Sequence, residues 1–323
     1  MSSFPLLQAP LVTIRIATAA DHDALQTLEG AAPDSHARML QARRNFFSRM
    51  AAYDRTQVLV AEVEHQVVGV QCLALTPVRV AGQPCSAGYS FNTRVAPGHQ
   101  TRGLGTRLMK AGAEWLERQG CRYVTGLIGV SNIASMKMVG ALGWEAVARF
   151  DYLILDLARF EPDPAVRIRK VDALGDPAHA GWRFGEVSLH HFVPRYLVSE
   201  LFTPYPKGAY MGSLTAFGPG GSAWVSLWDD RVRRGLDPEV VRAVKAYDVT
   251  LKGAGGFRAF SGIANTLREA GLDHVLMPLP HDPAMRAVLE PYAAEILEFN
   301  FVIKRLNGAG PLPPGPIYFD IRH

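Results

Sequence analysis

The spacing of apolar and polar residues predicts alternating strands and helices along the first half of the chain. The runs QVLVAEVEH and QVVGVQCLALTPVRVAG alternate with a two-residue period, which predicts a hairpin of two antiparallel strands. The mostly apolar run RYVTGLIGV predicts a strand that is buried on both faces. The whole pattern indicates an α/β fold with a mixed, mostly antiparallel sheet flanked by helices. Apolar residues at helical spacing predict helices at residues 19–30, 34–52, 106–120 and 131–143.

The second half of the chain repeats parts of the first half at a nearly constant distance in sequence. LERQGCRYV has a counterpart in LREAGLDHV, with Gly120 matched to Gly271, 151 residues later. IRIATAAD has a counterpart in VRIRKVDA, with Arg15 matched to Arg167, 152 residues later. Because two distant matches share nearly the same offset, we predict two copies of one fold. An acidic, proline-rich linker between them gives predicted domains at residues 1–158 and 165–323.

The stretch VAPGHQTRGLG lies where a predicted strand, GYSFNTR, turns into a predicted helix. The first turn of a helix has unpaired N–H groups and a partial positive charge. Gly103 and Gly105 allow this bare backbone to approach an anion closely, so the stretch predicts a phosphate or pyrophosphate site. The second copy has LKGAGG at the corresponding place, which keeps the glycines but few polar side chains. The first copy is therefore expected to be the working one.

The same stretch fits the pattern V-x-P-x-x-[QR]-x-x-G-x-G, and SNIASMKMVGALGW follows about thirty residues later. This pair of motifs resembles the GNAT superfamily of acyl-CoA-dependent N-acyltransferases. The P-loop pattern is absent, and the Rossmann fingerprint would need a third glycine and a downstream acidic residue. The resemblance implies two GNAT-like domains in tandem, the second of them degenerate. The pattern residues are Val95, Pro97, Gln100, Gly103 and Gly105.

What the resemblance implies is a strand pair splayed into a V, with the pantetheine arm of acyl-CoA in the opening. The backbone of residues 93–95 would pair with this arm, and the N–H groups of residues 101–106 would hold the pyrophosphate. Asn132 would reach the pantetheine or cap a helix, and these two roles are compatible. The implied cofactor-binding residues are Thr93, Arg94, Val95, Gln100, Thr101, Arg102, Gly103, Leu104, Gly105, Thr106, Asn132 and Ser135.

The usual catalytic side chains of the family are missing from their usual places. The two strands beside the loop contain no Asp or Glu, and the usual tyrosine position is Val139. Positioning of two reactants contributes about 7–11 kcal/mol and a general acid or base about 3–5 kcal/mol, so an enzyme without them remains plausible. The N–H of Val95 is the expected oxyanion donor, and Tyr89, Ser90 or Asn92 is expected to order a relay water. The sequence identifies no general base; His190, His191 and residues 316–323 are further candidates for catalytic groups.

Composition restricts the partners and the compartment. A net charge of +4 without a clustered basic stripe suits a small acidic ligand better than a nucleic acid. Three dispersed cysteines form neither a disulfide framework nor a metal pattern, so no metal is expected. No apolar run is long enough to cross a membrane, and a cytoplasmic protein, monomer or homodimer, is expected.

We therefore expect an N-acetyltransferase that moves an acetyl or other acyl group from acyl-CoA to an amine of a small molecule or peptide. One alternative is a non-catalytic acyl-CoA-binding or regulatory protein, which the absent acid and base would favour. Another is a tRNA-dependent aminoacyl transferase, which should have a long basic surface and a weak CoA motif, the opposite of what the sequence has.

Overall fold

One twelve-stranded sheet organises the described part of the chain. The computed structural model describes residues 12–30, 45–53, 55–80, 83–171, 210–229, 231 and 241–312. The strands are β1 Val12–Ile16, β2 Thr56–Val63, β3 Gln66–Val80, β4 Gln83–Val95, β5 Tyr123–Gly129, β6 Glu145–Asp156, β7 Arg167–Val171, β8 Tyr210–Gly218, β9 Gly221–Trp228, β10 Ala243–Lys252, β11 His274–Pro280 and β12 Ala293–Arg305. The helices are α1 His22–Gly30, α2 Leu104–Arg118, α3 Ile133–Ala141, α4 Gly256–Glu269 and α5 Pro283–Leu289.

The pairing within this sheet confirms the expected fold class. Among the described strands, only β4–β5 and β10–β11 pair in parallel, and all other neighbours are antiparallel. The predicted hairpin is β2–β3, which closes with Val63 opposite Gln66. Helices cover the sheet, and none of those in the described residues has the length and apolar character needed to cross a membrane.

The order of the strands has twofold pseudosymmetry. From one edge it is β1-β2-β3-β4-β5-β12-β6-β11-β10-β9-β8-β7. Exchanging each strand for its counterpart in the other half gives the same order in reverse. The pseudoaxis passes through the β6–β12 pair, where Arg149 lies opposite Asn300, and these residues are separated by the same 151 positions as Gly120 and Gly271. The repeat seen in the sequence is therefore present in the sheet.

The last strand of each half is inserted into the other half. β12 lies between β5 and β6, and β6 in turn lies between β12 and β11. Residues Phe299–Arg305 of β12 pair with Tyr123–Gly129 along the whole of β5. The predicted domain boundaries follow the chain, whereas the sheet of each half is continuous only when the other half is present.

Helices lie on both faces of the N-terminal part of the sheet. Along β2, Val58 and Val60 pack toward α1, whereas Leu59 and Ala61 pack in the cluster that contains α2. This alternation follows from the two-residue period of a strand. The site described below therefore has two sides, an α1 side and an α2 side.

The predicted helix over residues 34–52 is wrong in its described part. Asn45 has an extended backbone with φ of −147°, and its Oδ1 accepts a hydrogen bond of 2.8 Å from the N–H of Phe47. This cap starts a separate 3-10 helix, Phe46–Ala52. An asparagine side chain competes for backbone donors, which is why it favours helix starts over helix interiors. Residues 31–44 lie outside the described part.

A buried carboxylate fixes the start of α1 against β1 and β2. Arg15 donates two hydrogen bonds to Asp21, of 2.8 and 2.9 Å, and a third of 2.7 Å to Glu62 on β2. The N–H of Thr18 also donates to Asp21, at 2.7 Å. The hydrogen bonds from Arg15 hold the pKa of the Asp21 carboxyl well below its usual range. The ion pair thus joins β1, β2 and α1.

We expect Asp21→Asn to lower the free energy of unfolding by about 2 kcal/mol at pH 7, the size typical of a charged hydrogen-bonded pair. Because the folded-state pKa is depressed, the contribution is complete above the unfolded pKa of about 3.9 and is lost as the pH falls below it. Urea unfolding at several pH values measures this. Asp23→Asn, at an exposed position of the same turn, is the control. Equal effects of both variants at pH 7 would contradict the role of Asp21.

A chain that ends at residue 158 should not fold as a monomer, because it lacks the strand that separates β5 from β6. We expect aggregation of this fragment alone and a soluble complex when residues 165–323 are co-expressed. Size-exclusion chromatography and circular dichroism test this expectation. A folded, monomeric 1–158 fragment would show that the exchanged strands are dispensable.

Candidate functional site

β4 and β5 form a V that opens toward one end of the sheet. They pair in parallel from Ala87–Tyr123 to Ser90–Gly126, and the pairing stops there. Beyond this vertex β4 stays with β3 as far as Val95, which lies opposite Gly69. β5 stays with β12, where Gly129 lies opposite Phe299. The backbone edges that face the opening are therefore without a strand partner.

A bulge in β4 sets the edge of the opening. Asn92 has φ of +53°, and the register with β3 shifts between Val70 and Cys72. After the bulge, the N–H of Ala96 donates to Val68 on β3 at 2.8 Å. Since neighbouring residues of a strand point their N–H groups to opposite sides, the N–H of Val95 points into the V. This is the direction that an oxyanion donor needs.

The V continues into a cleft of about 950 Å³. It is lined from the α1 side by Leu28 and Phe91, and from the α2 side by Met109 and Val139. It therefore passes through the plane of the sheet. Two reactants can enter such a cleft from opposite faces and meet between the strands.

The loop before α2 has a conformation suited to an anion. Thr101 and Gly103 have φ of +64° and +73°, and α2 begins at Leu104. The first backbone hydrogen bond of the helix runs from the N–H of Arg107 to the carbonyl of Gly103, at 3.0 Å. Within the described residues, the N–H groups of residues 101–106 have no backbone acceptor. They form an array of free donors at the mouth of the cleft.

Most of the residues expected from the sequence meet at this cleft. Two do not line it: Arg102 is exposed, and Tyr89 is only 3% exposed, with its ring stacked on Phe91 at 4.9 Å between centroids. The side chain of Arg107, in the first turn of α2, donates to the carbonyl of Val12 at 2.9 Å. The lining residues among those expected are Asn92, Thr93, Arg94, Val95, Gln100, Thr101, Gly103, Leu104, Gly105, Thr106, Asn132 and Ser135.

Several of these side chains already have local partners, Asn132 and Gln100 among them. Oδ1 of Asn132 caps α3 by accepting from the N–H of Ser135 at 3.0 Å, and the residue also lines the cleft. Nε2 of Gln100 donates to the carbonyl of Val95 at 3.1 Å. The cap that the sequence suggested for Asn132 is thus present, and it is compatible with a ligand contact.

The second half contributes to this cleft through β12, which the sequence did not predict. Phe299 and Val302 form part of its wall. They reach it because β12 lies beside β5, so the strand exchange brings C-terminal residues into the N-terminal site. His190, His191 and residues 316–323 lie outside the described residues.

A carboxylate on the α1 side was also missed. Glu29 is 6% exposed, and its Oε1 lies 3.5 Å from Nδ2 of Asn92. It belongs to the buried face of α1 together with Leu25 and Leu28. The helical spacing of these three positions was the available signal, because an acidic residue on an apolar face usually has a specific partner. Nearby, the guanidinium of Arg49 lies 4.4 Å above the ring of Phe91.

Two backbone donors of the corresponding loop in the second half are occupied. The N–H of Gly255 donates to the carbonyl of Gly220 at 3.1 Å, and the N–H of Gly256 donates to Gly253 at 3.0 Å. A Cβ at Gly255 would overlap the carbonyl of Pro219. The turn between β8 and β9 therefore sits where the first loop is open.

A buried amide lies under the vertex of the V. Gln71 on β3 is 1% exposed, and its Nε2 donates to Oγ of Ser90 at 2.9 Å. Gly112 on α2 leaves room for it, because a Cβ at this position would lie 2.5 Å from Oε1 of Gln71. The position of the Gln71 amide therefore requires a glycine at residue 112.

Comparison with known proteins finds a family model that matches part of the first half of the chain. Residues 22–144 match the model of the Acetyltransferase (GNAT) family, which confirms the resemblance inferred from the loop. No protein with a curated description matches the sequence.

Solved structures share the whole architecture at low sequence identity. A tandem GNAT protein from the clavulanic acid biosynthesis pathway is 15% identical, with a TM-score of 0.56, and the match covers 94% of this chain and 100% of that one. A GCN5-related N-acetyltransferase from Sphaerobacter thermophilus is 14% identical, with a TM-score of 0.54 and coverage of 96% and 98%. A putative acetyltransferase from Pyrococcus horikoshii is 11% identical, with a TM-score of 0.54 and coverage of 96% and 95%. These matches support a fold with two GNAT-like domains.

We expect Gly112→Ala to destabilise the protein by about 1–2 kcal/mol, because overlap with the Gln71 amide exceeds the helix-propensity gain from alanine. Gly140→Ala is the matched control, since Gly140 is also helical and a Cβ there meets nothing within 4 Å. It should be neutral or slightly stabilising. Urea unfolding measures both variants, and equal stability of the two would mean that Gln71 moves aside freely.

Proposed function

We propose that the protein transfers an acetyl or other acyl group from acyl-CoA to an amine of a small molecule or peptide. The observation that carries the proposal is the array of free N–H groups at residues 101–106, at the mouth of an open V between β4 and β5. A diphosphate is the chemical group that such a helix start accommodates best. The cleft of about 950 Å³ behind it has room for the pantetheine arm of acetyl-CoA.

The reaction we propose is direct attack within a ternary complex. The amine nitrogen attacks the thioester carbon, and a backbone N–H on the cleft-facing edge of β4 stabilises the negative charge on the carbonyl oxygen. The C–S bond then breaks, and CoA leaves as a thiolate. The amine enters from the α1 side, where Glu29 beside Asn92 accepts its proton directly or through a water.

We further propose that only the first half binds acyl-CoA. The second loop keeps its glycines, but the N–H groups of Gly255 and Gly256 donate to the protein's own carbonyl oxygens. A pyrophosphate there would have to displace the β8–β9 turn.

Calorimetric titration with acetyl-CoA should give one site per chain. Gly105→Glu should weaken binding at least tenfold, because a carboxylate beside the pyrophosphate costs at least about 1.4 kcal/mol. Gly140→Glu, at an open position of α3, should bind like the wild type. Two sites per chain would show that the second loop is active, and absence of binding would overturn the proposed function.

Turnover with a panel of primary amines separates the enzyme from a non-catalytic acyl-CoA-binding protein. Release of CoA thiol that depends on an amine supports transfer. Binding without turnover on any amine of the panel would favour the regulatory alternative.

A further inference from the structure

We propose that Ser90, held in place by Gln71, donates the hydrogen bond that stabilises the departing thiolate of CoA. This inference rests on the proposed function and adds a catalytic residue to it. Ser90 would contact the reacting sulfur, and Gln71 would act as a positioning residue. Val139 occupies the usual tyrosine position, is 2% exposed and has no polar side-chain atom, so it cannot stabilise this charge. Ser90 and Gln71 would do so instead.

The position of Ser90 is the first argument. Ser90 and Gly126 form the last pair before β4 and β5 separate, and Ser90 lines the cleft. If acyl-CoA lies in the V with its diphosphate at the loop, the other end of the molecule lies at this vertex. That end carries the thioester. The neighbouring side chains of Tyr89 and Phe91 point to the α1 side, so Ser90 points to the α2 side.

The hydrogen bonds of Ser90 are the second argument. Its Oγ accepts from Nε2 of Gln71 at 2.9 Å, so its own proton is directed elsewhere. Among the described residues, the only acceptor for that proton is Sδ of Met109, at 3.8 Å. The hydroxyl of Thr93 is in the same situation, 3.7 Å from the same sulfur. A thioether is a weak acceptor, whereas an anion is a strong one.

The proton balance favours a hydrogen bond over proton transfer. As the N–C bond forms, the electron pair of the C–S bond moves to sulfur. The thiol of CoA has a pKa near that of cysteine, about 8.5, so the sulfur can leave as an anion near neutral pH. Ser90 keeps its proton and stabilises this charge, and the proton of the amine leaves through the α1 side. The step needs no further co-reactant.

The pKa of the CoA thiol in the complex tests this without any amine acceptor. CoA bound to the protein is titrated by the ultraviolet absorbance of the thiolate, with the free protein as blank. Burial raises the pKa of the Cys85 and Cys121 thiols, so the background stays small. We expect the thiol pKa to fall by about 1–2 units on binding, as a hydrogen bond to a charged group implies.

Matched variants assign the shift to Ser90. Ser90→Ala should lose most of it and Ser90→Thr should keep it, because threonine retains the hydroxyl and fits a strand. Gln71→Leu should lose part of it, because the hydroxyl is then no longer oriented. Ser86→Ala, at an exposed position of the same strand, should behave like the wild type. A full shift in Ser90→Ala would overturn the inference.

The outcomes distinguish this inference from the proposed function. Failure of wild-type protein to bind CoA overturns both. Binding with an unshifted thiol pKa overturns only the role of Ser90. With acetyl-CoA and a reactive amine, Ser90→Ala should lower kcat about 10- to 100-fold and leave the KM for acetyl-CoA within a few-fold. A variant that instead weakens CoA binding, with kcat unchanged, would show a structural role only.

Discussion

The backbone pairing of β5 is the constraint on which the rest of the structure depends. At Ser90–Gly126 this strand leaves β4, so the V can open only if another strand holds β5 from its other side. β12 does this along the full length of β5. Buried N–H and C=O groups need partners, and a strand that diverges from one neighbour without a second one would leave them unpaired. The cleft, its two entrances and the wall formed by Phe299 and Val302 all follow from this arrangement.

The two glycine loops show that the same backbone can serve two purposes. Gly103 lies directly before α2 and Gly253 lies three residues before α4, and both have φ of +73°. Each loop therefore contains a left-handed glycine close to the start of its helix. What differs is the partner of the N–H groups that follow. In the first half these groups have no backbone acceptor among the described residues, and in the second the N–H groups of Gly255 and Gly256 donate to Gly220 and Gly253.

Local chemistry made much of this predictable from sequence. The alternation in β2 and β3, the glycines before α2 and the repeat offset all depend on neighbours in the chain, and the structure contains each of them. The strand exchange could not be predicted from local sequence. β6 and β12 are both long, largely apolar strands, and their composition does not indicate which strand each one pairs with. Glu29 was missed because its contact with Asn92 spans 63 residues of sequence. The helix start at Asn45 was missed because the apolar pattern continues on both sides of it, and the pattern alone does not show that the asparagine acts as a cap.

The exchange of β6 and β12 also fixes the order of events during synthesis on the ribosome. When β6 emerges, its neighbour β12 is still about 140 residues away from being made. At typical translation speeds this interval lasts roughly 10–30 s. Throughout it the edges of β5 and β6 are exposed to other nascent chains, which is where sheet proteins are most prone to wrong pairing. A cell that makes this protein therefore has to shelter an incomplete sheet until nearly the last strand arrives.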